Sequence, residues 1–149
     1  MAAGTYVHRV LYGDTDQMGI VYYANYLRFF EGARNEWIRA HGLTYAEIEA
    51  AGLMLPVIEA HVHYHRPARY DDVVEIETIV SATRVKLHFE YQVRKSGDPA
   101  LMIEGFTTHA CVSKAGRPTR FPPWLDAKLR PHLGRHFDKI DNRNNLQEG

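Results

Sequence analysis

The sequence predicts an α+β fold in which one long helix packs on a curved antiparallel sheet of about five strands. One stretch carries apolar side chains at helical spacing, through Tyr26, Phe30, Ala33 and Trp37. Four later stretches alternate apolar and polar residues instead, as strands with one buried face do. A single helical stripe covering a single sheet face is enough to form one core.

The long helix begins after an acidic turn and ends at a glycine. The turn contains Asp14 and Asp16, two carboxylates placed shortly before the first apolar helical residues. Phe29 and Ala40 widen the apolar stripe, and most charged residues of the helix fall on the opposite side. Gly42 suits the left-handed backbone conformation that ends many helices.

A short helix and four strands are expected after the long helix. Thr44 and Glu47 form the capping box that starts the short helix. A hairpin turn at residues 96–99 joins the last two strands. The predicted strands cover residues 55–65, 74–80, 84–95 and 101–113, after a first strand at residues 6–12. A brief helix is expected at residues 124–133.

Length and composition indicate one globular domain. The chain has 149 residues and carries 18 basic and 18 acidic residues, so no charge excess indicates a nucleic-acid or membrane-surface partner. No apolar run approaches the roughly 20 residues of a membrane span, and the N-terminus lacks the apolar core of a signal peptide. Cys111 is the only cysteine, which favours a cytoplasmic location. We predict a single domain over residues 1–133 and a polar, flexible tail over residues 134–149.

Several chemistries lack sequence support. The chain has no serine nucleophile elbow and no glycine-rich phosphate loop. Cys111 lies within a predicted strand and is interpreted as a core residue. His61, His63 and His65 alternate on one strand face, and Glu59 is the nearby carboxylate on that face. Such a set can bind a transition metal, but strand faces carry histidine for other reasons, and no metal or cofactor is predicted.

The acidic turn admits two interpretations. Asp14 and Asp16 can stabilise the turn through hydrogen bonds to the nearby backbone. Alternatively, a carboxylate beside the free backbone N–H groups of a helix N-terminus can hold and attack a polarised carbonyl. Basic residues at Arg84, Lys86 and Arg120 likewise fit either a solvated surface or a clamp for phosphates. The residues alone leave these alternatives open.

A resemblance to a known family favours the catalytic interpretation. Residues 14–37, DTDQMGIVYYANYLRFFEGARNEW, resemble the signature of hot-dog-fold acyl-CoA thioesterases of the 4-hydroxybenzoyl-CoA thioesterase type. Residues 64–72 match the Y-x-x-P-A-x-x-D-D segment of that family. The resemblance covers residues 7–114, and the chain is also similar to relatives associated with the bacterial Tol-Pal system.

The resemblance implies a hot-dog fold and hydrolysis of an acyl-CoA thioester to a carboxylic acid and free coenzyme A. It assigns the catalytic carboxylate to Asp16 and the carbonyl-polarising backbone N–H, at the helix start, to Tyr23. Asp16 would either attack the carbonyl carbon to form an anhydride or draw a proton from water. Asp14 is then expected to hold the turn, and Glu31 is a distant second choice as base.

The resemblance also implies a homodimer, or a dimer of dimers, with active sites at the subunit interface. The acyl pocket is expected near Tyr22, Tyr23, Leu55 and Val57. In the resembling family basic residues near the sheet hairpins meet the coenzyme A nucleotide, and the comparable positions here are Arg84, Lys86 and Arg120.

Two alternative functions stay open on this fold. A hydratase or dehydratase would require a His–Asp or similar pair near the central helix, where the sequence offers only His41. A non-catalytic dimeric module that binds acyl carriers or a protein partner is the second alternative.

Overall fold

In the computed structural model, which describes residues 4–133, one long helix lies on a five-stranded antiparallel sheet. The predicted tail, residues 134–149, lies outside the described residues. The helices are α1 (Asn25–Ala40), α2 (Tyr45–Ala50) and α3 (Pro123–Leu129). The strands are β1 (Tyr6–Arg9), β2 (Leu53–Met54), β3 (Val57–Tyr64), β4 (Val73–Ala82), β5 (Lys86–Lys95), β6 (Leu101–Ala110) and β7 (Val112–Ser113).

The strands of the main sheet lie in the order β1-β4-β5-β6-β3, and every neighbouring pair is antiparallel. The short strands β2 and β7 form a separate two-stranded sheet. The predicted α+β class and the number of main strands are therefore confirmed. The order leaves β3 and β1 at the two edges, and β3 is the longer of the two.

Aromatic stacking holds α1 against the inner face of the sheet. The ring of Phe30 lies parallel to the ring of Tyr91, with the centroids 4.2 Å apart. Gly105 makes this approach possible, because a Cβ atom at that position would lie 2.9 Å from the Phe30 ring. Phe30 and Tyr91 are both almost fully buried, so the helix and the sheet share one core.

Several predicted features differ from the structure. The α1 face buries Ile38, whereas Ala40, predicted to be part of the apolar stripe, is exposed in the last helical turn. The last long strand breaks at Cys111, whose N–H donates to the carbonyl of Val85 and whose carbonyl accepts from the N–H of Thr119. Those bonds take Cys111 out of the ladder and divide the predicted strand into β6 and β7. The first strand is shorter than predicted.

The predicted end of α1 and start of α2 are confirmed in detail. Gly42 adopts a left-handed conformation with φ of +81°. The N–H of Glu47 donates to the Thr44 hydroxyl at 3.2 Å, and the N–H of Thr44 donates to the Glu47 carboxylate at 3.1 Å. Within residues 4–133, none of the helices has the length and apolar composition needed to cross a bilayer.

Candidate active site

Asp14 organises the turn that leads into α1. Its buried carboxylate accepts the N–H of Leu11 at 2.8 Å, and Nε2 of His8 lies 2.8 Å from the same oxygen. Its backbone carbonyl accepts the N–H of Tyr22 and the side-chain amide of Asn25, both at 2.9 Å. These contacts agree with the expectation that Asp14 holds the turn.

Asp16 lies at the next corner of the same turn and is only half-buried. Its N–H donates to the carbonyl of Ile20 at 2.9 Å, and its carbonyl accepts the N–H of Gly19 at 3.0 Å. Oδ1 of its carboxylate accepts the N–H of Met18 at 2.9 Å. Oδ2 has no hydrogen-bond partner among residues 4–133. The backbone therefore orients the carboxylate through one oxygen and leaves the other available.

A cavity of about 260 Å³ contains both residues that the resemblance assigns to catalysis. Asp16 and Tyr23 lie on its wall, and Tyr64 and Ile103 contribute from β3 and β6. The tertiary structure thus brings a carboxylate and the residues preceding α1 to one apolar-lined space. The roles of Asp16 and Tyr23 in that space stay predictions.

Tyr23 occupies the turn before α1, because the helix begins at Asn25 and not at Tyr23 as predicted. Among residues 4–133, no hydrogen bond engages the N–H of Tyr23. Its carbonyl accepts the hydroxyl of Tyr64 at 2.9 Å. This bond holds the peptide unit between Tyr23 and Ala24. The preceding unit, which carries the Tyr23 N–H, is held through the carbonyl of Tyr22, which accepts the N–H of Asn25 at 2.9 Å.

The N-terminus of α1 keeps its positive dipole end uncompensated by nearby side chains. Its N-cap residue, Ala24, makes no side-chain hydrogen bond to the helix, and the first turn contains no acidic residue. The aligned peptide dipoles of a helix favour negative charge at such an end. An oxygen that gains negative charge during a reaction would be stabilised there.

The predicted acyl-pocket residues are not brought together within one chain. Tyr22 contacts the Tyr23 ring, with the centroids 4.7 Å apart, but it does not line the Asp16 cavity. Leu55 and Val57 line a different cavity of about 360 Å³. Their contribution to substrate binding stays a prediction.

A polar network that sequence reasoning missed has its two ends, Arg34 and His109, on the wall of the second cavity. Nη1 of Arg34 donates to the Tyr91 hydroxyl at 3.3 Å, and that hydroxyl lies 2.7 Å from Oγ1 of Thr107. His109 continues the network, with Nε2 lying 2.9 Å from Oγ1 of Thr107 and Nδ1 lying 2.9 Å from the carbonyl of Leu55. Glu31, the second choice as base, also lines this cavity and not the one that holds Asp16.

Burial sets the protonation of this network. It raises the pKa of Tyr91 to about 12 and lowers the pKa of His109 to about 4. Both groups are therefore neutral near pH 7. The sequence placed Arg34 on the polar side of the helix, yet Nε of Arg34 and Oδ1 of Asn35 are buried and have no hydrogen-bond partner among the described residues. Arg34 lies four residues after Phe30, and that spacing is the signal that places it next to the buried stripe.

The predicted phosphate-contacting residues lie close together along the backbone at one end of the sheet. Arg84 and Lys86 belong to the β4–β5 turn and the start of β5. The N–H of Phe121 donates to the carbonyl of Arg84 at 3.0 Å, which brings the segment containing Arg120 against that turn. Arg84 and Arg120 are exposed. Contact with a nucleotide stays a prediction.

The fold defines a class of protein. A single long helix on a five-stranded antiparallel sheet is the arrangement of hot-dog-fold thioesterases. Residues 10–129 match the family model described as the Thioesterase-like superfamily. The chain belongs to this superfamily.

Individual relatives agree with the family assignment. The chain is 41% identical over 124 residues to the acyl-CoA thioester hydrolase YbgC of Escherichia coli, covering 82% of this chain and 92% of the relative. It is 36% identical over 129 residues to the acyl-CoA thioesterase YbgC of Haemophilus influenzae, covering 84% and 92%. The crystal structure of a hypothetical protein, TT1821 from Thermus thermophilus, superimposes with a TM-score of 0.81 at 34% identity, covering 86% of this chain and 98% of that one.

Proposed function

We propose that this protein is an acyl-CoA thioesterase that uses water to cleave the thioester into a carboxylic acid and the free thiol of coenzyme A. The observation that carries the proposal is the cavity shared by Asp16 and Tyr23 at the start of α1. The names of two relatives, acyl-CoA thioester hydrolase and acyl-CoA thioesterase, support the same reaction.

Carbonyl polarisation is the first element of the mechanism. The thioester oxygen accepts the Tyr23 N–H, which has no partner among residues 4–133. The uncapped N-terminus of α1 adds its dipole to the same oxygen. The carbonyl carbon becomes more electrophilic, and the oxyanion of the tetrahedral intermediate is stabilised. A donor of this kind contributes about 10²–10³ in kcat in other acyl-transfer enzymes.

Asp16 supplies the second element, with its Oδ2 atom as the reactive oxygen. In one route, Oδ2 attacks the carbonyl carbon, the C–S bond breaks, and coenzyme A leaves as a thiolate that takes up a proton. Water then hydrolyses the resulting mixed anhydride and restores the carboxylate. In the other route, Asp16 takes a proton from a water molecule that attacks the carbon directly.

Substitution of Asp16 tests the proposal. Asp16→Asn keeps the shape of the side chain but removes its basicity, so we expect the release of free thiol from a panel of acyl-CoA substrates to fall by at least ~10²-fold. Asp98→Asn in the exposed β5–β6 turn is the matched control and should keep full activity. Hydrolysis by Asp16→Asn at the rate of the parent protein would refute the assignment.

Isotope labelling separates the two routes. In a single turnover in H₂¹⁸O, hydrolysis of an anhydride at its Asp16 carbonyl carbon places ¹⁸O in the aspartate. Direct attack of water places the label only in the released carboxylic acid. Mass spectrometry of the peptide that contains Asp16 identifies the anhydride route if the label is found there.

The structure contains one feature that a hydratase would require. Nε2 of His8 lies 2.8 Å from the buried carboxylate of Asp14, beside α1. The His8 ring packs against Phe29, with the centroids 4.3 Å apart, and neither His8 nor Asp14 lines the Asp16 cavity. Conversion of the acyl-CoA substrate to a different thioester, without the release of thiol, would favour the hydratase. Binding without either change would favour an acyl-carrier module.

We infer that the substrate's nucleotide phosphates contact Arg84, Lys86 and Arg120. Guanidinium and ammonium groups are the usual partners of phosphate, and the Phe121–Arg84 hydrogen bond holds two of these residues on neighbouring segments. Arg84→Ala and Arg120→Ala should raise KM for an acyl-CoA but leave KM unchanged for the matching acyl-pantetheine thioester, which lacks the nucleotide. An equal rise for both substrates would contradict this contact.

We also infer a homodimer formed through the edge strand β3. Seven of its eight residues are exposed, including Val57 and Ile58. A long exposed edge strand favours pairing with another chain, and antiparallel pairing of two copies would join the two sheets. Light scattering coupled to size-exclusion chromatography should give at least twice the chain mass, and a monomer would contradict the inference.

A cytoplasmic location is part of the same proposal. Cys111, the only cysteine in the sequence, is a buried free thiol, and burial raises its pKa. A chain without disulfides suits a reducing compartment. Cell fractionation tests this location.

A further inference from the structure

His63 of β3, His65 just past the end of β3, and Glu104 of β6 form a compact cluster at one edge of the sheet. The ligand atoms of His63, His65 and Glu104 all lie within 4.8 Å of one another. Among residues 4–133, no other group of three His, Cys, Asp or Glu side chains has its ligand atoms close enough together to share a metal ion. The sequence had offered Glu59 as the nearby carboxylate, but the structure brings Glu104 instead.

Strand geometry accounts for the cluster. His63 lies on β3, and His65 is the first residue after the strand, where its N–H still donates to the carbonyl of Met102 on β6 at 2.9 Å. The alternation of side chains therefore continues to His65, and the two histidines project from the same face. Glu104 is the direct register partner of His63 in the antiparallel β3–β6 pair. Directly opposed side chains in such a pair have Cβ atoms only about 4.5–5.5 Å apart. Three donors thus converge without any loop between them.

The distances fit a coordinated ion. Nε2 of His65 lies 3.2 Å from Oε1 of Glu104, and two tetrahedral zinc ligands at bond lengths of about 2.0–2.2 Å lie roughly 3.4 Å apart. The His63 ring stacks beside the His65 ring, with the centroids 4.3 Å apart. His63 is exposed, so its ring can rotate the short distance needed to complete the set.

We propose that His63, His65 and Glu104 bind one divalent transition-metal ion of the zinc, cobalt and nickel class. Two imidazole nitrogens favour these ions over magnesium or calcium, which prefer oxygen ligands. Two histidines and one glutamate are a donor set that zinc sites use, with the fourth position left to water. The carboxylate offsets one of the two positive charges of the ion, and the two imidazole rings coordinate the ion without adding charge.

The position of the cluster gives the ion a structural effect next to the cavity. Tyr64 lies between the two histidines on the opposite face of β3 and donates its hydroxyl to the carbonyl of Tyr23. His65 itself lies on the wall of the Asp16 cavity. An ion bound across β3 and β6 therefore holds the end of the strand from which Tyr64 contacts the Tyr23 peptide. The proposed metal site is supported by the contacts among His63, His65 and Glu104. It is independent of the proposed thioesterase activity.

Metal titration of the tag-free full-length protein, after removal of trace metals with EDTA, tests the site. We expect Zn²⁺ to saturate at one ion per chain by isothermal titration calorimetry, and Co²⁺ to give the absorption bands of a nitrogen- and oxygen-coordinated ion. At a hundredfold excess over the Kd, Zn²⁺ should raise Tm by roughly 5 °C.

Single substitutions identify the ligands. His63→Ala and Glu104→Gln should each weaken Zn²⁺ binding by at least ~10-fold, abolish the Tm increase, and leave metal-free hydrolysis unchanged. His61→Ala, on the same strand face but stacked on Phe106, is the control and should bind Zn²⁺ as the parent does. Equal binding by all three variants, a loss in His61→Ala, or no Zn²⁺ binding by the parent protein would overturn the proposal.

Discussion

The Asp16 cavity and the Arg34 cavity lie on the same helix but are built in opposite ways. The first depends mainly on a turn of a few consecutive residues, held by backbone hydrogen bonds that Asp14 and Asp16 accept. The second depends on side chains from α1, β5 and β6, joined through Thr107. The turn of the first cavity is a local structure at a helix end, although β3 and β6 complete the cavity wall. The network of the second cavity exists only after the sheet has formed.

The two cavities also differ in how their polar groups are buried and hydrogen-bonded. Asp16 is half-buried, and one of its carboxylate oxygens has no partner among residues 4–133. His109 and Tyr91 are buried, with pKa values of about 4 and about 12, so neither changes protonation near pH 7. Oδ2 of Asp16 is therefore available to a ligand or water, while the titratable pair of the second cavity keeps one protonation state near neutral pH.

The largest effects should come from replacing the two aspartates of the turn one at a time. Asp14→Ala leaves the Leu11 N–H and the His8 ring without their buried acceptor, so we expect the free energy of unfolding to fall by about 2 kcal/mol. Thioester hydrolysis should fall with it. Asp16→Asn should lose activity while its stability changes by no more than ~0.5 kcal/mol. Urea unfolding measures both, and equal stability of the two variants would remove the distinction between them.

An effect of similar size on stability, but without a loss of activity at neutral pH, should appear in the pH dependence of unfolding. The pKa of His109 is about 4 in the folded chain against an ordinary value of 6.5. As the pH falls below 6.5, the unfolded chain takes up this proton first, so the contribution of His109 to stability is present at neutral pH and is lost on acidification. Going from about pH 8 to about pH 5 should cost ~2 kcal/mol through this group alone.

His109→Gln should make the stability of the protein less dependent on pH over that interval. The matched control is His61→Gln, which removes a histidine from an exposed position and should keep the slope of the parent protein. Urea unfolding at several pH values provides the measurement. An unchanged slope in His109→Gln would show that this histidine is not held neutral by burial.

The smallest effect tests how the first cavity depends on the sheet. Tyr64→Phe removes the hydroxyl that donates to the carbonyl of Tyr23, so the stability loss should be about 1 kcal/mol. If this bond positions the Tyr23 peptide, kcat should fall by roughly 3- to 10-fold with little change in KM. Tyr70→Phe, at an exposed position, should leave kcat unchanged. A rise in KM with unchanged kcat would contradict the positioning role of Tyr64.

The agreement between sequence and structure is closest where the determinants are local. The capping box of Thr44 and Glu47 and the left-handed Gly42 were predicted, because each depends on neighbouring residues. The break at Cys111 was missed, since it depends on hydrogen bonds to Val85 and Thr119. Alternation of apolar residues carries no information about such partners.

The same limit explains the candidate sites. Asp16 and Tyr23 were paired through the resemblance to a family whose motif contains both positions, although the helix start was placed two residues too early. The placement of Leu55 in a separate cavity was not foreseen. Spacing along the chain orders the residues of a turn, but it does not say which side of α1 a distant strand covers.

By itself, the sequence determined the single long helix, the antiparallel strands and the acidic turn, because periodicity and turn chemistry act over a few residues. Only the tertiary structure decided which distant side chains meet. It joined Arg34 to His109 through Tyr91 and Thr107, and it set Glu104 opposite His63. The physical reason is strand register, which follows from the packing of whole strands against α1 and is not encoded at any one position.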